Sequence, residues 1–308
     1  MDNMSNSNSS LSHFKDYLEL EKKYSKNTSL AYCQDIAEFQ NFLNETQNGI
    51  LVKDVIYVLI RSWIIYLLDN SNSSKTINRK MASLKCYFNF LIKTIQLDSS
   101  PMDTHKSIRF PKIKQIPFSE EEMKSLFNNF PKEQDFVNTR DRLILELLYS
   151  TGIRRMELIN LKQKNVNLQQ KMIKVLGKRN KERLIPLIPS LIPFLNSYMV
   201  QKNEQIGDLN STYLFVNKKN GKISETLVYR LVKKHLSFVS EKVKKSPHML
   251  RHSFATHLIN NGAGINSVKE LLGHSSLAST QVYAHSNLKE LQNAYKNAHP
   301  RNKDRTGN

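Results

Sequence analysis

Residues 98–117 interrupt the helical pattern of the chain. This stretch contains three prolines and four Lys/Arg residues and shows little periodicity. Because proline cannot continue a helix, the composition indicates an extended linker between domains. Ser119 and Glu122 follow with the spacing of a capping box, which marks a helix start. We therefore predict a disordered tail over residues 1–10, a first domain over residues 11–97, a linker over residues 98–117 and a second domain over residues 118–308.

The first domain has the pattern of amphipathic helices. After Ser74, apolar residues recur at steps of three and four, which predicts a helix with one buried stripe. The stripe consists of Ile77, Met81, Leu84, Phe88 and Leu91. The other face of this helix begins with Lys75, Arg79 and Lys80. Cations near a helix N-terminus suit the phosphates of a nucleic-acid backbone, although a solvated charged face explains any single lysine equally well.

The second domain mixes helices with one hairpin. An apolar helix is predicted over residues 141–149, ending at Gly152, and another helix begins near Arg155. Two strand-like runs, residues 172–176 and 183–187, are joined by a charged turn and predict a β-hairpin. Further along, Ser246 and Pro247 have the residue types of an N-cap and a first helical position.

The charge of the chain favours a polyanionic partner. The sequence has 46 Lys and Arg against 27 Asp and Glu, a formal net charge of +19, which favours nucleic acid first and anionic membrane second. The longest apolar stretches, residues 55–60 and 62–68, are separated by Arg61 and are too short to span a bilayer. Cys33 and Cys86 are too few for a disulfide framework or a cysteine zinc site, which is consistent with a reducing cytoplasm.

Residues 246–285 bring together the groups needed for metal-free phosphoryl transfer. The segment contains a His-x-x-Arg pair, a Gly-His and a tyrosine. Arginine can hold two phosphate oxygens at once, histidine can move a proton near neutral pH, and a tyrosine hydroxyl can attack phosphorus. A His-x-x-Arg pair by itself is common on helix surfaces, and a helical tyrosine is usually a packing residue. The combination is what favours catalysis.

Motifs in both domains resemble the tyrosine recombinases of the phage-integrase superfamily, most closely the bacterial Xer recombinases. They are KNTSLAYCQDIAEFQNFL and SKTINRKMASLKCYFNFL in the first domain, and STGIRRMELINL, VLGKRNKERLIPL, SPHMLRHSFATHL, LLGHSS and TQVYAH in the second. The resemblance implies a mainly α, two-domain fold. A helical SAM-like core-binding domain would precede an α-helical catalytic domain with a small antiparallel β-sheet.

The same resemblance implies the catalytic residues, which match the family's motifs position by position. They are Arg154, Lys178, His248, Arg251, His274 and the nucleophile Tyr283. Glu157, one turn after Arg154, would support that arginine, whereas Arg155 would be a surface or backbone-contact residue. Lys181 is the alternative to Lys178 on the hairpin turn.

The implied reaction needs neither a metal nor another cofactor. The family cuts and rejoins duplex DNA through a 3′-phosphotyrosyl intermediate and a Holliday junction. Expected partners are a double-stranded recombination site, further copies or a second recombinase in a tetramer on synapsed DNA, and a DNA translocase as activator. We expect a cytoplasmic bacterial protein, associated with the nucleoid when bound to DNA, that acts in Xer-like chromosome or plasmid dimer resolution. An integrase of a compact mobile element is the alternative within this class.

Two alternatives come from other classes of protein. A metal-dependent nuclease could use His248, His252 and His257 as ligands, but the HExxH arrangement is absent and the segment lacks an acidic residue. A non-catalytic DNA-binding protein would have no need for Tyr283 beside the arginines. A short apolar stripe follows Tyr283, and it either covers its own domain or docks elsewhere. The C-terminal helix of the recombinases that the chain resembles packs onto a neighbouring protomer in a cyclic tetramer, and we expect the same of this stripe. Its residues are Leu288, Leu291, Tyr295 and Ala298.

Overall fold

The chain divides into two compact units, Met1–Ile113 and Lys114–Asn308, so that the division falls within the stretch for which a linker is predicted. The computed structural model describes residues 10–111, 115–131, 135–177, 182–206, 212–273, 295 and 297–303. In the described part of the chain, no helix is long and apolar enough to cross a membrane.

The first unit is helical. Helix α1 covers residues 10–16 and continues into a π-helical turn, Tyr17–Glu21; α2 is Lys26–Thr46, α3 is Tyr57–Asp69 and α4 is Ser74–Lys93. Serine side chains start two of these helices, because Ser25 accepts the backbone N–H of Thr28 and Ser73 accepts that of Thr76.

The apolar stripe of α4 forms the centre of this unit, as predicted from its spacing. All five stripe residues are at most 2% exposed and pack with the buried side chains of Phe14, Phe39 and Trp63. The basic face is only partly as expected. Lys80 is buried and forms ion pairs with Asp35 and Glu38, so the prediction that it lies on an exposed face is wrong.

Part of the stretch predicted to be a linker packs on the first unit. Met102 is buried in its core, and the Asn78 side chain bonds both the N–H and the carbonyl of Ile108, each at 2.9 Å. The backbone N–H and carbonyl of Ile108, in the predicted linker, thus have hydrogen-bond partners within the first unit.

The second unit consists of helices and one small sheet. The helices are α5 (Glu120–Asn128), α6 (Phe136–Thr151), α7 (Arg155–Ile159), α8 (Ile192–Ile206), α9 (Glu225–Ser237), α10 (Pro247–Asn260) and α11 (Ile265–Leu272), with a short helical turn at Pro300–Lys303. Strands β1 (Val166–Asn167), β2 (Met172–Leu176) and β3 (Glu182–Pro186) form an antiparallel sheet in the order β1-β2-β3. The mainly α, two-domain fold class with a small antiparallel sheet is therefore confirmed.

Most helices and strands of this unit begin at or near the residues predicted from the sequence. The capping box of Ser119 and Glu122 is formed in both directions. The hairpin is present, although its second strand begins at Glu182 rather than Arg183. Helix α6 begins at Phe136, earlier than predicted, because Asp135 caps the N–H of Asn138. Ser246 precedes Pro247 at the start of α10, but its side chain makes no capping hydrogen bond.

Helix α6 is the central element of the second unit. Every residue from Leu143 to Thr151 is buried, and the helix packs against α8 and α10. A helix that is buried on all sides at its C-terminal end places the following loop inside the domain. That loop carries the first predicted catalytic arginine.

The described end of the chain packs on this same unit. Tyr295 is buried and donates its hydroxyl to the Ser150 carbonyl at 2.5 Å, while Ala298 joins the core. Arg301 forms an ion pair with the buried Glu146. Tyr295 and Ala298 of the predicted C-terminal stripe therefore cover their own domain, contrary to the expected docking on a neighbouring protomer. Leu288 and Leu291 lie outside the described residues.

Candidate active site

The loop between α6 and α7 depends on one glycine. Gly152 ends α6 in the left-handed conformation, with φ of 59°. A Cβ at this position would lie 2.4 Å from Cδ1 of Phe254 and 2.9 Å from Cδ2 of Leu272. Only glycine satisfies both the backbone angle and the close approach. The turn brings Arg154 to the N-cap position of α7.

Arg154 is fixed at both its backbone and its side chain. Its N–H and Nη1 donate to the two carboxylate oxygens of Glu157, each at 2.9 Å, and its Nη2 donates to the carbonyl of Gly273 at 2.9 Å. The predicted support from Glu157 is thus confirmed. The Arg154 side chain remains 39% exposed. The guanidinium is therefore accessible to a ligand from solvent, and its orientation is already fixed by Glu157 and the Gly273 carbonyl.

Arg251 approaches the same loop from α10. Its side chain is buried and donates from Nη1 to the carbonyl of Gly152 at 2.5 Å and from Nη2 to that of Leu272 at 2.6 Å. Burial, followed by the positive charge of Arg154, lowers the pKa of Arg251 to about 10. The guanidinium is still a cation at neutral pH, but it lies in a place where a bound anion would be strongly stabilising.

Three guanidinium groups donate hydrogen bonds to the C-terminal end of α11. The consecutive carbonyls of Leu271, Leu272 and Gly273 accept hydrogen bonds from Arg183, Arg251 and Arg154 respectively. Carbonyls in the last turn of a helix have no partner within it, and their partial negative charge attracts cations. The only carboxylate bonded to these arginines among the described residues is Glu157. The cluster therefore carries surplus positive charge and is suited to bind an anion.

The sequence did not identify Arg183 as part of this cluster. The sequence feature that could have identified Arg183 is a charged residue at a core-facing position of a strand. On β3 the side chains of Arg183 and Ile185 are buried, while that of Leu184 is exposed, and Arg183 faces the buried Val175 of β2. A buried charge in such an alternating pattern requires a partner from elsewhere in the fold.

His248 lies on the exposed side of α10, in the same turn as Arg251. Partial burial, and then the charge of Arg251, lowers the pKa of His248 below its ordinary value. The imidazole is consequently neutral near pH 7, which is the form that accepts a proton.

The other polar residues near this helix have structural partners. His257 is buried between the Tyr149 hydroxyl and the Phe118 carbonyl, and the Nε2 of His252 lies 3.2 Å from the Gln115 carbonyl. Across the described ranges, no group of three or more His, Cys, Asp or Glu is placed to hold a metal ion. Arg155 forms an ion pair with Glu225 at the surface of α9.

The structure brings together Arg154, His248 and Arg251 of the six predicted catalytic residues. Lys178, with its alternative Lys181, and the residues His274 and Tyr283 lie outside the described part of the chain. In the sequence, His274 follows directly after Gly273, whose carbonyl is held by Arg154.

Known families match both units. The family described as "Phage integrase family" matches residues 117–290, and "Phage integrase, N-terminal SAM-like domain" matches residues 11–94. The helical first unit is thus SAM-like, as the sequence motifs implied.

Curated relatives cover nearly the whole chain. "Tyrosine recombinase XerC" of Chlorobaculum parvum and of Listeria innocua are each 35% identical, over 94% of this chain and 94% and 96% of their own lengths. "Tyrosine recombinase XerD" of Shewanella oneidensis is 32% identical, over 94% of this chain and 95% of its own length.

Solved structures show the same fold. The XerH site-specific recombinase bound to its palindromic difH substrate has a TM-score of 0.68 at 22% identity, over 92% of this chain and 83% of that one. The Tn1549 transposon integrase in complex with circular intermediate DNA also has a TM-score of 0.68, at 19% identity over 91% of this chain and 98% of that one. The family models and the curated relatives show that the chain belongs to the phage integrase family and is a DNA recombinase of the tyrosine recombinase class.

Proposed function

We propose that this protein is a site-specific recombinase that cuts and rejoins duplex DNA through a covalent 3′-phosphotyrosyl intermediate. The observation that carries the proposal is the arginine cluster at the end of α11, where Arg154 and Arg251 are oriented by backbone carbonyls and share a surplus of positive charge. A scissile phosphodiester is an anion with two nonbridging oxygens, which planar guanidinium groups match in charge and shape.

Arg154 and Arg251, joined by His274, bind the nonbridging oxygens as the phosphorus becomes pentavalent. The oxygens gain negative charge in that state, and donors that are already oriented stabilise it without rearranging. Within the described residues, Arg251 donates two hydrogen bonds and the Arg154 side chain donates two. Each guanidinium carries five N–H groups. In the proposed complex, further N–H groups of both arginines bind the nonbridging oxygens.

Tyr283 is the nucleophile. Its hydroxyl oxygen forms a bond to phosphorus while the bond from phosphorus to the 5′ oxygen breaks. His248 accepts the tyrosine proton, for which its lowered pKa is suitable, and Lys178 protonates the departing oxygen. Each proton transfer contributes about 10²- to 10⁴-fold. The covalent bond preserves the energy of the phosphodiester, so a partner strand can reverse the step, and no metal ion or other cofactor takes part.

We infer a biological role in Xer-like resolution of chromosome or plasmid dimers. The supporting observation is that the match to relatives named XerC and XerD extends over nearly the full length of both chains. In this role four protomers, either identical or including a second recombinase, exchange strands in pairs through a Holliday junction. A DNA translocase would activate the complex.

Covalent trapping tests the proposal. The protein is incubated in EDTA with fragmented DNA of its source genome, denatured, and separated from unbound DNA, after which the attached fragments are sequenced. The wild-type protein should yield adducts and Tyr283→Phe none. Tyr229→Phe is the matched control, because Tyr229 is an exposed tyrosine of α9 in the same unit, and it should form adducts like the wild type.

The captured sequences also test the biological role. Adducts at a single-copy chromosomal or plasmid site support dimer resolution, and adducts at the ends of a mobile element support the integrase alternative. Cutting that requires a divalent metal and leaves no adduct would refute the recombinase chemistry in favour of a nuclease.

A further inference from the structure

Arg183 is the buried cation of the arginine cluster that the predicted catalytic set does not include. It lies on β3 with its side chain only 7% exposed. Its Nη1 and Nη2 donate to the two oxygens of Glu157 at 2.7 and 2.8 Å, and its Nε donates to the Leu271 carbonyl at 3.1 Å. All three nitrogens of the guanidinium are therefore bonded to protein, so this arginine is committed to orienting its neighbours.

Arg183 and Arg154 share a single carboxylate. Glu157 accepts both nitrogens of Arg183, and it also accepts the backbone N–H and Nη1 of Arg154. Burial raises the pKa of Glu157, but the hydrogen bonds and charge of Arg183, together with the bonds of Arg154, outweigh burial and leave the pKa below its ordinary value. Glu157 is thus ionised, and two cations divide its one negative charge.

This division matters for Arg154. A carboxylate paired with Arg154 alone would neutralise the guanidinium and reduce its attraction for a phosphate. Because Arg183 makes the bidentate, buried pair with Glu157, Arg154 is held in position while a large part of its positive charge remains available. The more exposed of the two arginines, Arg154, is the one left to bind an anion.

Arg183 also connects three elements that adjoin predicted catalytic residues in the sequence. It belongs to β3, the second strand of the hairpin, and pairs across the sheet with Val175. Through Glu157 it reaches α7, and through the Leu271 carbonyl it reaches the end of α11, just before His274. The contact with α11 is close: a Cβ on Gly273 would lie 3.0 Å from Cδ of Arg183. Glycine at position 273 lets the arginine lie against the helix end.

We propose that Arg183 is a positioning residue for DNA cleavage, which holds Glu157 and the end of α11 so that Arg154 is correctly oriented and remains charged toward the scissile phosphate. The inference rests on the proposed function, because it concerns the rate of phosphotyrosine formation. Arg183 itself touches no DNA in this scheme. Its loss should slow the chemical step and leave DNA affinity nearly intact.

The test compares Arg183→Met with the wild type in single-turnover cleavage of a nicked duplex that carries a captured site. We expect the adduct to form roughly 10- to 100-fold more slowly, as is common when the partner that orients a functional group is removed. DNA affinity, measured by fluorescence anisotropy at fixed salt, should change little. Arg183→Lys, which keeps the charge but cannot bind both oxygens of Glu157 and the Leu271 carbonyl together, should be intermediate and supplies a folded variant if Arg183→Met does not fold.

Arg140→Met is the matched control. Arg140 is equally buried, in the same unit, and also binds a carboxylate, Asp141, and a carbonyl, that of Val216. Its removal should lower thermal stability to a similar degree without slowing adduct formation at a temperature where both variants are folded. If the two variants were slowed equally, Arg183 would have only a structural role and the inference would be overturned.

A substrate with an uncharged scissile group distinguishes two causes of slower cleavage by Arg183→Met: loss of correctly positioned charge on Arg154, and general disruption of the active site. A methylphosphonate replaces one nonbridging oxygen by a methyl group and so removes the negative charge that Arg154 meets. On this substrate the ratio of the wild-type cleavage rate to the Arg183→Met rate should be at least several-fold smaller than on the phosphodiester. An unchanged ratio would overturn the inference. If the wild-type protein formed no adduct at all, the proposed function would fail; if it did and Arg183→Met matched its rate, only the inference about Arg183 would fail.

Discussion

Gly152 lies directly against the ring of Phe254, so close that a Cβ on residue 152 would be 2.4 Å from Cδ1 of that ring. The contact joins the C-terminal end of α6 to α10, and it does so at the residue whose carbonyl accepts a hydrogen bond from Arg251. Packing of the core and orientation of a predicted catalytic arginine therefore depend on the same glycine.

Gly152→Ala should destabilise the second unit strongly. The new methyl group meets the Phe254 ring and Leu272 in a close-packed interior, and the backbone keeps a positive φ. Gly262→Ala is the control, because Gly262 has φ of +89° but nothing within 4 Å of its Cβ position. The loss in free energy of unfolding should exceed that of the control by roughly 1–3 kcal/mol. Urea unfolding followed by far-UV circular dichroism measures both, and equal losses would contradict the packing argument.

Arg154→Lys should slow cleavage while leaving DNA binding nearly unchanged. Lysine keeps the charge, but a single ammonium group cannot bind Glu157, the Gly273 carbonyl and a phosphate in the planar geometry of guanidinium. We expect adduct formation to fall by about 10²- to 10³-fold. The control is Arg230→Lys at an exposed position of α9, which should cleave like the wild type. A rate for Arg154→Lys within a few-fold of the wild type would show that orientation of this group is unimportant.

Local patterns in the sequence predicted the elements and one contact of the site. The stripe of α4, the capping box at Ser119 and the hairpin follow from local sequence patterns. The family resemblance, together with a separation of one helical turn, implied that Glu157 supports Arg154. These features are decided within a few residues of chain, where periodicity and capping chemistry act.

Contacts between distant segments could not be predicted in the same way. Arg251 bonds Gly152, 99 residues away, and Arg183 bonds Leu271, 88 residues away. Lys80 looks like a surface lysine because the acidic side chains that allow its burial, Asp35 and Glu38, belong to another helix. Only the packing of the elements decides which carbonyl or carboxylate each cation meets.

Asp35→Ala should destabilise the first unit. Asp35 is buried and accepts hydrogen bonds from Arg79 and from the Ser83 hydroxyl, with Lys80 3.6 Å away. Its removal takes a charged acceptor from the buried Ser83 hydroxyl and one of two carboxylate partners from the buried Lys80, at a cost of roughly 1.5–3 kcal/mol. Glu38→Ala is the control and should cost about 0–1 kcal/mol, because the Glu38 side chain is 47% exposed.

The fluorescence of Trp63 measures this difference. Trp63 is the chain's one tryptophan and is fully buried in the first unit, where Lys80 lies over its ring. Urea unfolding followed at this residue therefore reports the first unit alone. A loss for Asp35→Ala no larger than that for Glu38→Ala would mean that the buried ion pairs contribute no more than surface ones.

The packing of the chain end should weaken in acid because of His299. The ring is buried against Tyr149, Phe254 and Tyr295, and burial lowers the pKa of His299 to about 3. The unfolded chain takes up this proton near pH 6.5, so the stabilisation is complete above pH 6.5 and is lost progressively as the pH falls toward 3. Between pH 7 and pH 5 the second unit should lose about 2 kcal/mol more than His299→Phe, which keeps a ring but cannot be protonated. Urea unfolding followed by circular dichroism at the two pH values measures this, and identical losses would show that His299 is accessible to protons in the folded protein.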